Sequence, residues 1–152
     1  MPREDVHSDP LTILLVEDNL PHAELVKRGL GAHEIAHKIY HVSDGEAALA
    51  YLLRQGVYAD PATSPRPHVV LLDLRLPKVS GLDVLREIKT NNDLRTIPVV
   101  ILTTSTAERD VVSAYAQHAN SYLVKPVDFA AFTRLMHDLG LYWLLWNYSP
   151  SS

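Results

Sequence analysis

Four short runs in this chain end in residues capable of chemistry. Leu11–Val16 runs into Glu17 and Asp18, Val69–Leu72 into Asp73, Ile97–Leu102 into Thr103, and Ser121–Val124 into Lys125. Carboxylates held close together repel one another unless a proton or a cation joins them. Two carboxylates with a backbone carbonyl and water are an oxygen-only set of the kind Mg²⁺ accepts, because that ion keeps several of its waters. An ammonium and a hydroxyl opposite such an ion suit a phosphoryl group, whose transfer depends on positioning and charge stabilisation. Singly, each residue has a plainer reading: a strand-end Asp caps a helix, a Lys before Pro is solvated, and Glu17–Asp18 complement a helix dipole. Four strand ends carrying them in one chain point to one site.

Such residues meet only if the runs are strands lying side by side. Leu11–Val16 and Val69–Leu72 are almost continuously apolar, as strands buried on both faces are. Asn19–Leu30 reads as a helix, with Pro21 in its first turn, Ala23, Val26 and Leu30 at helical spacing, and Gly31 as a stop. Ile35–Val42 is a second, more polar strand, placed at an edge. The Ser43-Asp44-Gly45 turn leads into a helix over Glu46–Leu53 with Leu49, Leu52 and Leu53 on one face. Leu82, Leu85 and Ile88 mark a third helix that closes in the polar stretch Thr90–Asp93. Ser105 and Glu108 form a capping box opening a fourth, continued by Val111, Val112 and Tyr115. A last helix starts near Asp128 and carries Phe129, Phe132, Leu135 or Met136, Leu139 and Trp143. Five strands each followed by a helix predict an α/β fold, a doubly wound five-stranded parallel sheet. In such sheets ligands collect at the carboxyl ends of the strands. Arg54–His68, with Pro61, Pro65 and Pro67, reads as a surface loop.

The chain has 152 residues, 47% hydrophobic and 21% charged, which fits one globular domain and excludes a disordered chain. The expected organisation is a tail over 1–9, the domain over 10–140 and an aromatic extension over 141–152. Without cysteine there is no disulfide, thiolate zinc site or cysteine nucleophile. A net charge of −4 argues against broad nucleic-acid binding. The charged N-terminus is no signal peptide, and no apolar run reaches the ~18 residues of a membrane span, so a cytoplasmic protein off the membrane is expected. No G-x-x-x-x-G-K phosphate loop is present. His33, His37 and His41 are spaced by four but fall on a loop and an edge strand, and read as surface histidines.

The runs Leu14-Leu15-Val16-Glu17-Asp18-Asn19, Leu71-Leu72-Asp73-Leu74-Arg75-Leu76-Pro77, Gly81, Val100-Ile101-Leu102-Thr103 and Tyr122-Leu123-Val124-Lys125-Pro126 resemble the receiver domain of two-component response regulators. The resemblance covers roughly residues 10–140 and implies a flavodoxin-like, CheY-like (βα)5 fold. It implies that Asp73 is the phosphoacceptor for a sensor histidine kinase in a phosphorelay. Glu17, Asp18 and Asp73, with the backbone carbonyl of Arg75, would hold Mg²⁺, with Mn²⁺ as a substitute. Thr103 and Tyr122 would form a switch pair, and Lys125 would bind the phosphoryl group and precede a cis peptide bond. Glu17 stands where Asp is often found, and Thr104 where the family prefers Ala. The Pro-rich insert, the Leu-Thr-Thr-Ser run and the aromatic end are similar to stand-alone regulators paired with bacterial phytochrome kinases.

The implied protein is a phosphoacceptor signalling protein rather than an enzyme, assisting only its own phosphorylation and dephosphorylation. The rival is an aspartate-nucleophile phosphatase of the haloacid dehalogenase type. That family places its nucleophile on the first strand and a general acid two residues later, where this chain has Asp73 on the third strand and Arg75. Twelve residues after 140 leave no room for a DNA-binding module, so output is expected through protein contacts. Tyr142, Trp143, Leu144, Leu145 and Trp146 are consecutive, and a helix cannot bury all sides of such a run against one surface. The expectation is a homodimer through the helices after the fourth and fifth strands, the fifth strand and this aromatic end.

Overall fold

The computed structural model describes residues 10–31, 37–104 and 121–146. The strands are β1 (Leu11–Val16), β2 (His37–Val42), β3 (Val69–Asp73), β4 (Val99–Thr103) and β5 (Ser121–Val124). They form one parallel sheet in the order β2-β1-β3-β4-β5. The helices are α1 (Leu20–Gly31), α2 (Gly45–Leu52), α3 (Gly81–Thr90), α4 (Phe129–Asp138) and α5 (Tyr142–Trp146). The capping box at Ser105 and Glu108 with its helix through Tyr115, the tail over 1–9 and His33 lie outside the described residues.

Strand alternation divides the core in two. Leu11, Ile13, Leu15, Val69, Leu71, Val100, Leu102 and Leu123 pack with α1 and α4. Leu14, Val16, Val70, Leu72, Val99 and Ile101 pack with α2 and α3 on the other face. Continued past the strand ends, the first series arrives at Glu17, Asp73, Thr104 and Lys125 on one side of the sheet. The chain turns to opposite faces after β1 and β3, which are neighbours, so the crevice opens between their ends.

The second helix departs from the sequence expectation. Its buried face is Ala48, Tyr51 and Leu52, while Leu53 is the C-cap and exposed. The cause is a close approach at its start: a Cβ on Gly45 would lie 2.3 Å from the Val79 carbonyl oxygen. That contact leaves no room for a larger residue at Gly45, and Ala48, Tyr51 and Leu52 follow on the same buried face. The Arg54–His68 insert is likewise more than a surface loop. Tyr51 donates its hydroxyl to the Pro65 carbonyl at 2.7 Å, and Ser64 is buried. The insert ends at His68, whose N–H donates to the Thr12 carbonyl at 2.8 Å while its Nδ1 accepts from the Thr12 N–H at 2.9 Å. The insert thus pins itself to β1.

Within the aromatic end, Leu144 and Leu145 join the core beside Phe132 and Met136. Tyr142 stays exposed.

Gly81 begins α3 directly behind the phosphoacceptor candidate. A Cβ there would sit 2.4 Å from the Asp73 carbonyl oxygen, a backbone atom that cannot move away cheaply. Gly81→Ala is expected to lower unfolding stability by about 1–3 kcal/mol through this overlap. Urea melts of the two proteins check it, and equal midpoints would show that the turn gives way freely.

Candidate functional site

The loop after β1 is built by local hydrogen bonds. Asn19 caps α1 from outside: its side chain accepts from the His22 N–H at 2.9 Å and its carbonyl from the Ala23 N–H at 2.9 Å. Its own N–H donates to Glu17 Oε2 at 3.2 Å. Glu17 is further fixed through its backbone, donating N–H to the Val42 carbonyl and accepting at its carbonyl from His41 Nε2 at 2.8 Å. The carboxylate of a fully buried glutamate is therefore aimed before any partner arrives.

Lys125 reaches this carboxylate from β5, with its Nζ 2.5 Å from Glu17 Oε1 and 3.3 Å from Asp73 Oδ2. All three side chains are nearly shut off from solvent. The Lys125 backbone N–H donates to the Thr103 carbonyl at 2.8 Å, and the Lys125–Pro126 bond is cis. Asp73 Oδ1 accepts the Arg75 N–H at 3.1 Å, which fixes the turn after β3. Asp18 is exposed, yet one carboxylate oxygen each from Glu17, Asp18 and Asp73 lie within 4.8 Å of one another. Such a set is an acidic pocket suited to a divalent cation.

Burial and the neighbouring Glu17 carboxylate push the Asp73 carboxyl up to about 6, against the pull of the Arg75 N–H and the Lys125 ammonium. Two carboxylates and one ammonium leave excess negative charge, and the protein holds it at a cost that a cation would relieve.

The crevice has a volume of about 230 Å³ and is walled by Glu17, Asp18, Asn19, His22, Asp73, Arg75, Thr104 and Lys125. Thr104 stands in its wall, and Thr103 is fully buried at the end of β4 beside it. Tyr122 is partly exposed on β5.

Histidines correct the sequence reading most. His41 is a partly buried bracket for Glu17, not a surface residue, and His22 places its Nδ1 3.2 Å from Lys125 Nζ. The available signal was the Asn19 cap, since the third residue after a cap lies on the first turn beside the strand end.

A family model described as the response regulator receiver domain matches residues 13–137. The probable methanogenesis regulatory protein FilR2 of Methanothrix harundinacea is 48% identical over 143 residues, 93% of this chain and 89% of that protein. Response regulator Rcp1 of Synechocystis sp. is 44% identical over 140 residues, 92% of this chain and 93% of its own. A solved structure of the Mn(2+)-bound form of Rcp1 matches with a TM-score of 0.68, covering 89% of this chain and 95% of that one. The bacteriophytochrome response regulator RtBRR matches with a TM-score of 0.81 at 42% identity, covering 93% of this chain and 85% of that one.

Proposed function

The chain belongs to the response regulator receiver family, and we propose that Asp73 is the residue on which it accepts a phosphoryl group from a sensor histidine kinase. The observation that supports this is the convergence of Glu17, Asp18 and Lys125 on a carboxylate with raised proton affinity. A carboxylate oxygen of Asp73 forms its bond to phosphorus as the phosphorus–nitrogen bond of the kinase phosphohistidine breaks. The electron pair leaves with the imidazole, which takes up a proton.

Glu17, Asp18, Asp73 and the Arg75 carbonyl would hold Mg²⁺, or Mn²⁺ in its place. That ion supplies neutralisation of the charge on the transferring oxygens. Lys125 offers a fixed positive charge on the other side. The chain assists this transfer and the later loss of the group, and turns over no separate substrate. Phosphotransfer profiling with purified kinases tests the reading and its partner: a bacteriophytochrome kinase is expected to label the chain fastest, in keeping with its likeness to RtBRR. Labelling by no histidine kinase, or turnover of a phosphate ester, would overturn it.

Thr103 and Tyr122 are proposed as the switch. New phosphoryl oxygens on Asp73 would draw the Thr103 hydroxyl, and Tyr122, now partly exposed, would turn inward and alter the β5 surface. Thr103→Ala is expected to leave labelling intact while removing the phosphorylation-dependent gain in partner affinity. Equal gain in both proteins would count against the switch.

Output runs through protein contacts, without nucleic acid or membrane, and no helix among the described residues is long and apolar enough to cross a bilayer. The proposed homodimer uses the β5 face, α4, the segment between β4 and β5 and the aromatic end, supported by the exposed Tyr122, Val124 and Tyr142. Because Leu144 and Leu145 are buried, truncation would open the core, so Tyr142→Glu is the better probe. Sedimentation of the full chain is expected to show a dimer that this variant weakens; a monomer at high micromolar concentration would refute it.

A further inference from the structure

The ammonium of Lys125 has three N–H donors and no acceptor capacity. Three acceptors surround it: Glu17 Oε1 at 2.5 Å, His22 Nδ1 at 3.2 Å and Asp73 Oδ2 at 3.3 Å. Since the lysine can only donate, the His22 ring must present an unprotonated Nδ1, which places its proton on Nε2. His22 is not free to drift, because its N–H is tied to the Asn19 side chain and the Asn19 N–H to Glu17 Oε2. Glu17, Asn19, His22 and Lys125 thus close a ring of hydrogen bonds, with Asp73 attached at the lysine.

Glu17 is pulled in two directions within this ring. It is the lysine's shortest contact and also a member of the acidic trio, so it cannot serve the ammonium and a cation equally. An ammonium whose other support was Asp73 alone would follow Glu17 and sit away from the oxygen that must receive phosphorus. His22 supplies an uncharged acceptor outside the trio, on the wall that Lys125 and Thr104 share.

We propose that His22 is a positioning residue, whose Nδ1 holds the Lys125 ammonium over Asp73 while Glu17 is engaged elsewhere. This deepens the reading of Asp73 as phosphoacceptor and rests on it. At 3.2 Å this bond is longer than the strong charge-assisted ones, and its loss corresponds to roughly five- to tenfold in rate. The experiment follows labelling of Asp73 by acetyl phosphate with Mg²⁺ in the full chain. His22→Ala is expected to be about five- to tenfold slower at unchanged melting temperature. His22→Asn, whose Oδ1 can stand where Nδ1 stands, is expected to recover most of the rate. The ¹⁵N signal of His22 Nδ1 should also move in Lys125→Ala, which a merely structural histidine would not show. Wild-type labelling with an equally fast His22→Ala overturns the positioning role alone. Failure of the Asn rescue, or an Nδ1 signal indifferent to Lys125, does the same. Absence of label on wild-type Asp73 overturns the phosphoacceptor reading beneath it.

Discussion

Asp73→Asn is expected to reduce acid-labile phosphate incorporation to background and, in metal-free solution at pH 7, to make the protein more stable by roughly 1–3 kcal/mol. Loss of label follows from chemistry. An amide nitrogen and oxygen are poor nucleophiles, and among the described residues the nearest carboxylates, Glu17 and Asp18, belong to the cation pocket. Asn keeps the shape of the side chain and an oxygen for the Arg75 N–H, so the turn after β3 survives.

The gain in stability follows from proton linkage. The Asp73 carboxyl is raised from 3.8 to about 6, first by burial and then by Glu17. Between those values the folded chain binds more protons than the unfolded one, so its stability falls as pH rises. The contribution is fully present below about pH 3.8 and lost by the time pH has passed about 6. Asn has no charge to bury, so the variant escapes that loss. Urea melts at pH 5 and pH 7 check the sign: the advantage of Asp73→Asn should be larger at pH 7. An advantage that is equal at both, or reversed, would show that the Asp73 carboxylate is comfortably held without a cation.

The frame of this protein was legible because buried parallel strands are written as near-continuous apolar runs, and each run stops where the chain meets the crevice. Leu11–Val16 and Val69–Asp73 needed no tertiary information, being buried at every position. That Thr104 also walls the crevice was less legible, because it lies one residue past the end of β4, where only tertiary packing shows what borders the site. His22 was missed for a related reason. Its functional partner Lys125 lies 103 positions away, and nothing in a short window shows that α1 begins where β5 ends. Helix periodicity also misled at Leu53, where a glycine approach to the Val79 backbone, not apolar content, sets which face turns inward.

Adding millimolar Mg²⁺ is expected to raise the thermal midpoint and to make phosphorylation possible, and excess chelator to remove both. A ligand that binds only the folded chain stabilises it by about 3 kcal/mol at a hundredfold excess over its dissociation constant. Here part of that energy is relief of repulsion already present among Glu17, Asp18 and Asp73. The consequence is a coupling to protons that a loose surface site would lack. Burial and Glu17 raise the Asp73 carboxyl to about 6, so in the metal-free chain it keeps its proton to higher pH than an ordinary aspartate, and a cation favours the ionised form. Binding should therefore release protons near pH 6 and almost none at pH 8. Calorimetry in two buffers of different ionisation enthalpy reads this directly. The Glu17→Gln, Asp18→Asn double variant should lose both the midpoint shift and the proton release, while Asp73→Asn should bind more weakly and release none. Strong binding that persists in the double variant would place the cation elsewhere, and labelling undiminished in chelator would remove it from the transfer altogether. If both effects follow Glu17 and Asp18, the tension between Lys125 and a cation for the same carboxylate becomes part of how this site is set. The charge that destabilises the resting chain is then the charge that recruits its metal.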